Sequence, residues 1–247
     1  MNNKYFVVSD IHSYYTPLMT SLNKVGFDIH NDEHILIVCG DVFDRGEETL
    51  KVYEFLMSIP KNRLILIKGN HEYLYESLLK KDFPDKNDFH NGTVNTFCHI
   101  AGYSIGILDP HYWYKNGVRD GQLVWASLHR TWREIKLKVV ESPITEFIKT
   151  RFINYYEMGN YIFVHSFIPV KIRDDKLGWW GNCPMINIPP EYLTAYKPWR
   201  EATDFEWYEA SWVDPYALYK AGCFFLERNQ GKTLVHGHYK CSRAHEL

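Results

Sequence analysis

The stretch that decides the fold is ILIVCGDVFDRG, residues 35–46, in which an apolar run ends on glycine and aspartate. Four other apolar runs also end on residue types that bind metal ions or phosphate. The five runs and their endings are Tyr5–Val8 before Asp10 and His12, Ile35–Cys39 before Asp41, Leu64–Ile67 before Asn70 and His71, Tyr161–Val164 before His165, and Thr233–Val235 before His236 and His238. Each run is rich in Val, Ile, Leu and aromatic residues, which predicts a buried strand closed by a turn.

The carboxyl ends of these strands predict a metal site. In an open α/β sheet, ligands bind outside the carboxyl ends of the strands, so we expect six side chains to meet at one edge. They are Asp10, His12, Asp41, Asn70, His165 and His238. Two aspartates, three histidines and one amide oxygen suit a pair of transition-metal ions. Such a pair can activate water for attack on phosphate esters.

Length and composition bound the class of protein. The 247 residues suffice for a single α/β domain with a large core. A hydrophobic content of 45% and a net charge of −2 predict a globular, soluble chain. That charge gives no electrostatic case for nucleic acid as a partner, and no apolar run approaches the roughly 18 residues of a membrane span. We therefore expect neither nucleic acid nor a membrane as a partner.

The cysteines and the N-terminus predict a cytoplasmic location. The five cysteines are odd in number, scattered and without a C-x-x-C pair. They are Cys39, Cys98, Cys183, Cys223 and Cys241. This pattern favours reduced thiols in the core over disulfides or a zinc knuckle. The N-terminus leads directly into a strand, without the charged and apolar regions of a secretory leader.

Residues 1–72 alternate strands with helices. Apolar residues recur at helical spacing after the first strand, from Leu18 to Val25, and after the second, from Leu50 to Met57. We expect a third helix to begin near Glu72. Alternation of this kind predicts parallel strands joined by right-handed crossovers.

Residues 82–160 have a different character. They begin with a polar, turn-rich segment and include an amphipathic, basic stretch, Ser127–Val140, whose charged face is most often a solvated face. They separate Asn70 from His165 by 95 positions. We interpret them as an insertion or cap bordering the active-site cleft, within a single domain of residues 1–247.

Spacing suggests roles for several site residues. Asp10 and His12 lie two residues apart, which is the period of a strand, so both side chains can point the same way. Asp41 lies 29 residues after His12, and its two carboxylate oxygens make it the natural bridge between two metals. Asn70 lies another 29 residues on, and its amide oxygen can ligate a metal without adding negative charge. His71 is placed to be a proton donor.

Each of these residues has a simpler interpretation when taken alone. An aspartate after a strand is more often a turn residue or a helix N-cap. A histidine near an apolar run is more often a hydrogen-bonded core group than a ligand. The order, the near-equal spacing and the placement at strand ends favour a metal site when the residues are taken together. His236, which precedes Gly237 and His238, is expected to be structural.

The motifs resemble those of the calcineurin-like metallophosphoesterases. The matching segments are Asp10-Ile11-His12, Gly40-Asp41-Val42-Phe43-Asp44-Arg45-Gly46, Gly69-Asn70-His71-Glu72, the lone His165, and Gly237-His238. The Asp44-Arg45-Gly46 ending is similar to that of the serine/threonine protein phosphatase branch, which includes the lambda-type phosphatases of phages and bacteria. Symmetrical diadenosine tetraphosphatases are similar as well. The resemblance covers nearly the whole chain.

The resemblance implies an α/β fold with four layers, an αββα sandwich, and two metal ions, most commonly Mn²⁺, with iron or zinc as alternatives. It implies that Asp10, His12 and Asp41 hold one metal, and that the other is held by Asp41, Asn70, His165 and His238. It also implies that His71 is the general acid, that Asp44 orients it, and that Arg45 grips the phosphate. An arginine suits a bidentate grip on phosphate, and a carboxylate-oriented proton donor is a recurrent arrangement.

Two positions depart from the family pattern, and a third is assigned without a motif. Ser13 stands where this branch usually has glycine, and Lys240 stands where many superfamily members have a second histidine. The change at Lys240 fits the phosphatase branch rather than a general phosphodiesterase. A second phosphate-binding arginine is expected between the last two ligands, and Arg200 is our candidate, ahead of Arg173.

These features predict a metal-dependent phosphomonoesterase similar to serine/threonine protein phosphatases, with a phosphorylated protein as substrate. A hydroxide bridging the metals attacks phosphorus directly, and His71 protonates the leaving group. One alternative is a symmetrical diadenosine tetraphosphatase or another hydrolase of small phosphate esters, with the aromatic-rich segment 103–132 stacking a base. A non-catalytic scaffold is the other; the presence of Asp10, Asp41, Asn70 and His71 argues against it.

Overall fold

The architecture comes from a computed structural model, which describes residues 3–172, 193–195, 199–214 and 231–239. The strands are β1 Lys4–Val8, β2 His34–Cys39, β3 Leu64–Ile67, β4 Phe152–Ile153, β5 Tyr156–Met158, β6 Tyr161–Phe163, β7 Val170–Ile172, β8 Leu193–Ala195 and β9 Thr233–Val235. The helices are α1 Tyr15–Lys24, α2 Thr49–Ser58, α3 Asn70–Lys80, α4 Lys86–His90, α5 Thr93–Ala101, α6 Pro110–Lys115, α7 Gly121–Val140, α8 Pro143–Arg151 and α9 Asp204–Ala210.

The first sheet is parallel, with strand order β1-β2-β3-β4. Its register sets Phe6 beside Leu36 and Leu36 beside Leu64, so these three side chains share one face. Ile37 and Ile65 are likewise paired on the opposite face. Both faces of β2 are buried, which is why its sequence is a continuous apolar run rather than an alternating one.

The second sheet contains the other two strands that carry site residues. Its order is β5-β6-β9, with β5 antiparallel and β9 parallel to β6. The expectation that all five strand ends would line one edge of a single open sheet is therefore wrong. Three strands belong to the first sheet and two to the second, because β6 finds its parallel partner in β9, where Tyr161 pairs with Thr233. A separate antiparallel pair joins β7 to β8.

Three hydrophobic clusters show how the layers stack. Helices α1, α2, α5, α7 and α8 cover one face of the first sheet through a large core that includes Phe6, Leu36, Leu66, Leu22, Leu56, Phe97, Trp132 and Ile148. The two sheets meet through Ile37, Cys39, Ile67 and Phe163. The far face of the second sheet packs Ile162 and Val164 against Trp199 and, from α9, Trp207. This order confirms the predicted four-layer αββα sandwich.

The segment predicted as an insertion or cap forms helices for most of its length. Trp132 of α7 is fully buried and stacks on Phe97 of α5, with ring centroids 5.5 Å apart. Burying a large apolar side chain contributes about 1.5–3 kcal/mol, so these helices belong to the core of the first sheet. The interpretation of residues 82–160 as an insertion or cap stays a prediction.

Two further expectations concern the cysteines and membranes. Cys39 and Cys98 are buried free thiols, while Cys183, Cys223 and Cys241 lie outside the described residues. In the part of the chain that the structure describes, none of the helices has the length and apolar character that a membrane crossing requires.

Candidate metal and phosphate site

Backbone strain marks the loops that follow the strands. Seven non-glycine residues among those described have a positive φ, and all seven lie in these loops. They are Asp10 (53°), His12 (46°), Ser13 (58°), Asp41 (55°), Asp44 (73°), Arg45 (61°) and His238 (65°). Each such residue costs on the order of 1–3 kcal/mol and persists only where surrounding contacts hold it. Strain of this kind collects at functional sites, so the loops are the candidate site.

Glu72 ties two of these loops together. Its buried carboxylate accepts hydrogen bonds from the backbone N–H groups of Asp41 at 3.0 Å, Val42 at 2.9 Å and Gly69 at 2.8 Å. Burial and the charge of Asp41 raise the pKa of Glu72 to about 7. We assigned Glu72 no role from the sequence, although its position three residues after Gly69 is the spacing of a capping box.

Glycine is required where the loops meet. Gly40 has a φ of +81°, and a Cβ there would lie 2.5 Å from His165 Nδ1 and 2.7 Å from Gly69 Cα. Both the backbone conformation and the close approach exclude a side chain. Gly40 therefore lets the loop after β2 lie directly against His165 and the start of α3.

Asp41 lies at the centre of the site. Its carboxylate is buried, with Oδ2 3.6 Å from His12 Nε2 and Oδ1 3.4 Å from His165 Nε2. Burial alone would raise the pKa of Asp41, but the nearby imidazoles of His165, His71 and His12 outweigh it and lower the pKa. The two carboxylate oxygens thus face two different histidines, as a bridging ligand would require.

Two histidines are oriented by backbone carbonyls. The Nδ1 atom of His12 lies 3.1 Å from Phe43 O, and the Nδ1 atom of His165 lies 2.7 Å from Cys39 O. A carbonyl can only accept, so Nδ1 donates and each Nε2 presents its lone pair toward Asp41. Metal-binding histidines are commonly held in this way. Burial lowers the pKa of His12, which favours the neutral form that metals bind.

Asn70, His165 and His238 form the other side of the site. Asn70 Oδ1 lies 2.9 Å from His165 Nε2, and His238 Nδ1 lies 3.0 Å from the same nitrogen. In this amide orientation the Asn70 oxygen faces only acceptors. Burial, and after it the neighbouring imidazole of His165, lower the pKa of His238 to about 4, so its ring is neutral at pH 7. An amide oxygen and imidazole nitrogens that converge in this way form a donor set that suits a transition-metal cation.

The candidate ligand atoms fall into two groups, each within 4.8 Å. One group contains Asp10, Asp41, His165 and His238, and the other contains His12, Asp41 and His71. Asp41 belongs to both. Asp10 lies with the second-sheet histidines because its Oδ2 accepts a hydrogen bond from the backbone N–H of His238 at 2.8 Å. All six predicted ligands thus meet in one place, and Asp10 also contacts the loop after β9.

His71 is held between Asp44 and Arg45. Its Nδ1 lies 2.8 Å from Asp44 Oδ2, its Nε2 lies 3.2 Å from an Arg45 guanidinium nitrogen, and Nε2 is 3.9 Å from Asp41 Oδ2. Burial alone would lower the pKa of His71, but the hydrogen bond to Asp44 and the charges of Asp41 and Asp44 raise it. The arrangement can hold a proton on an imidazole beside both the candidate metal ligands and a guanidinium.

Arg200 has a carboxylate partner in this structure. Its guanidinium binds Glu157 of β5 in a bidentate ion pair, with Nε 2.5 Å from Oε1 and NH2 3.0 Å from Oε2. It also lies over the ring of Trp199. To bind phosphate, Arg200 would have to leave this pair, so its role in the substrate site stays a prediction. Arg173 and Lys240 lie outside the described residues.

Ser13 stands where the family pattern has glycine, and its φ of 58° lies in the region that favours glycine. Its side chain is fully buried, and its hydroxyl lies 3.0 Å from Thr49 Oγ1, which in turn lies 3.2 Å from His99 Nδ1. The departure from the family pattern is therefore accommodated by a buried polar network that reaches α5. His236 contacts the carbonyl of Gly237, in keeping with the structural role expected from the sequence.

Comparisons with known proteins identify the family of this chain. The sequence profile of the calcineurin-like phosphoesterases matches residues 4–241. The symmetrical bis(5'-nucleosyl)-tetraphosphatase of Wigglesworthia glossinidia brevipalpis is 30% identical over 86 residues, covering 33% of this chain and 30% of that protein. The asymmetrical bis(5'-nucleosyl)-tetraphosphatase PrpE of Bacillus subtilis (strain 168) is 30% identical over 74 residues, covering 27% of this chain and 30% of that protein.

The aligned stretches therefore span about a third or less of these relatives' length. Among solved structures, a metallophosphoesterase from Sphaerobacter thermophilus matches with a TM-score of 0.34 and 13% identity. That match covers 66% of this chain and 46% of the other.

Proposed function

Since this chain belongs to the calcineurin-like phosphoesterase family, we propose that it hydrolyses phosphomonoesters with two bound divalent metal ions, Mn²⁺ being the first choice. The observation that carries the proposal is the position of Asp41, whose carboxylate oxygens face His12 on one side and His165 on the other. Asp10, Asn70 and His238 complete the proposed ligand set. Metal ions bound there would activate water and stabilise negative charge on phosphorus oxygens.

The proposed proton donor is His71. Its Nδ1–H is engaged by Asp44 at 2.8 Å, which leaves Nε2 as the atom that can deliver a proton to a leaving alkoxide. Asp44 then stabilises the imidazolium and fixes the orientation of the ring, as carboxylates do in other acid–base pairs. The hydrogen bond to Asp44 and the charges of Asp41 and Asp44 outweigh burial and raise the pKa of His71, which favours its protonated form.

The proposed phosphate ligand is Arg45. Its guanidinium lies 3.2 Å from His71 Nε2, so a phosphate bound to Arg45 would place its ester oxygen close to the proton donor. The same phosphate would take over the guanidinium donors and free Nε2 for the leaving group. A planar guanidinium can bind two phosphate oxygens at once, and a monoester dianion offers more charge for it than a diester.

Two substrate classes follow from this site. The Asp44-Arg45-Gly46 sequence favours a phosphorylated protein side chain, through its resemblance to the protein phosphatases. The names of the relatives favour a dinucleoside tetraphosphate. Segment 103–132 supports the second class, because it exposes Tyr112, Tyr114 and Trp125, on which a base could stack. A non-catalytic scaffold is disfavoured by the strain held at the assembled residues.

A parallel turnover assay tests the proposal. A phosphopeptide, diadenosine tetraphosphate, an aryl phosphate and a bis-aryl phosphodiester are each offered with Mn²⁺. We expect wild-type protein to prefer monoesters over the simple diester. We also expect Arg45→Ala to lower kcat/KM for monoesters by about 10²- to 10⁴-fold, because two charge-assisted hydrogen bonds of about 1.5–3 kcal/mol each are lost, and to affect the diester less.

Two further arginine variants are measured in this assay, one as a control and one as a test of the second candidate phosphate ligand. Arg130→Ala removes an exposed arginine of α7 and is expected to leave turnover unchanged. Arg200→Ala tests whether the arginine paired with Glu157 also binds substrate. A wild-type kcat/KM that favours the bis-aryl diester, or equal losses for both ester types in Arg45→Ala, would contradict the phosphomonoesterase proposal.

A further inference from the structure

We propose that the first turn of α5 is part of the catalytic apparatus, in which Thr93 and Thr96 are positioning residues that fix Asp44 and, through it, His71. The inference rests on the proposed function in so far as His71 acts as the proton donor. It concerns residues of segment 82–160, interpreted as an insertion or cap, for which the sequence pattern predicts no role in the site.

The two threonine hydroxyls both donate to Asp44. Thr93 Oγ1 lies 2.7 Å from Asp44 Oδ2, and Thr96 Oγ1 lies 2.6 Å from Asp44 Oδ1. Thr96 Oγ1 also accepts the backbone N–H of Asp44 at 3.0 Å. Since an ionised carboxylate has no hydrogen to give, both hydroxyl protons point at it. All three residues are fully or almost fully buried, so water does not compete for these bonds.

These bonds fix the plane of the carboxylate. Thr96 holds one oxygen, while Thr93 and His71 Nδ1 share the other. With the plane fixed, Asp44 accepts the Nδ1–H of His71 in one direction, which sets both the tautomer and the tilt of the ring. Nε2 is thereby aimed at Asp41 and Arg45. Without the hydroxyls the carboxylate could rotate and the imidazole would lose this restraint.

The same turn also packs against the backbone of the loop after β2, which carries Asp44 and Arg45. Gly92, with a φ of +82°, directly precedes α5, and a Cβ there would lie 2.6 Å from Arg45 N and 3.0 Å from Arg45 Cα. Asp44 and Arg45 both have a positive φ, 73° and 61°. The start of α5 therefore holds the side chain of Asp44 and lies against the strained backbone that presents Arg45. A helix that only covered the cleft would need neither contact.

The test uses isosteric changes that remove one hydroxyl at a time. Thr93→Val and Thr96→Val keep the shape of the side chain, alone and together, and Thr93→Ser and Thr96→Ser restore the hydroxyl. The matched control is Thr145→Val, because Thr145 is also buried and bonds Tyr75 and the carbonyl of Val139, away from the site. Bound metal is measured for every variant.

We expect the Val double variant to lose about 10- to 100-fold in kcat on an alkyl phosphate. This is the loss typically seen when a hydrogen-bond partner that orients a functional side chain in a metal site is removed. The loss should be smaller on an aryl phosphate with an acidic leaving group, which needs little protonation. KM and metal content should stay unchanged, and the Ser variants should recover most of the rate. Thr145→Val should lower thermal stability without changing the dependence on the leaving group.

A second readout does not depend on turnover. Nitrogen-15 NMR of the histidine rings reports whether His71 keeps its proton on Nδ1, and we expect the Val double variant to lose this preference while Thr145→Val keeps it. Wild-type protein without phosphatase activity would contradict the proposed function, and the NMR comparison would still decide the role of the threonines. Unchanged His71 signals in a folded double variant, or equal rate losses for alkyl and aryl phosphates, would overturn the inference.

Discussion

Replacing Asp41 by Asn is expected to remove bound metal and to lower turnover of a phosphomonoester by roughly 10³-fold or more, since metal activation contributes several kcal/mol. The substitution keeps the size of the side chain and the oxygen that accepts the backbone N–H of His71 at 3.0 Å. It removes the negative charge that faces His12 and His165. Metal content by elemental analysis and kcat are measured on the same samples.

Asp88→Asn is the matched control for this change. Asp88 is also almost fully buried, and its carboxylate pairs with Lys81 at 2.8 Å and receives the backbone N–H of Asp85 at 2.7 Å. We expect it to lower stability while leaving metal content and kcat unchanged. If Asp41→Asn were to keep both metal and turnover, Asp41 would not be the bridging ligand.

His71→Ala is expected to lower kcat by about 10²–10⁴-fold on an alkyl phosphate, the range of general acid catalysis, with bound metal unchanged. The loss should shrink on aryl phosphates, because their leaving groups need little protonation. The metal content of this variant matters, because a ring nitrogen of His71 is close enough to Asp41 to be counted among the candidate ligand atoms. Its Nδ1 is held by Asp44, and its Nε2 accepts a hydrogen bond from the Arg45 guanidinium, which competes with metal ligation at that nitrogen.

Asn70→Ala distinguishes the proposed ligand Asn70 from the proposed proton donor His71. Its neighbour His71 lies on the same first turn of α3, so the two variants perturb the same element. We expect Asn70→Ala to lose metal affinity and to recover part of its rate at high Mn²⁺. Loss of metal in His71→Ala, or identical leaving-group dependence in both variants, would assign His71 to the metal shell instead.

Local sequence predicted the strands well, and it also predicted that the six candidate side chains lie close together. β3 and β9 have the bounds expected from their apolar runs, Leu64–Ile67 and Thr233–Val235. These runs are short, rich in apolar residues and closed by turns. The hydrophobic pattern and the turn residues at the strand ends were therefore sufficient to predict the strand bounds. The candidate ligands could be identified because each follows closely after such a strand.

The division into two sheets could not be read from the same signals. Strand periodicity gives the direction of side chains, but it does not say which strand lies beside which. The pairing of β6 with β9 joins Tyr161 to Thr233 across a long sequence separation. The packing of Ile37 and Ile67 against Phe163 shows that the two sheets face one another.

Residues that act through distant partners were also missed. Thr93 and Thr96 contact Asp44 from 49 and 52 positions away, and a threonine in a helical segment gives no local sign of such a partner. Arg200 was chosen from its position in the sequence alone, and the fold pairs it with Glu157. Glu72 differs from these, because its capping-box spacing was visible in the sequence.

The most direct test of the account is a metal titration of the wild-type protein. The chain is stripped with a chelator, Mn²⁺ is added back stepwise, and bound metal and turnover of an aryl phosphate are measured together. We predict negligible turnover without metal and a rate that rises to a plateau as binding reaches two ions per chain. Full turnover by a demonstrably metal-free sample would contradict the central claim that the residues around Asp41 work through bound metal.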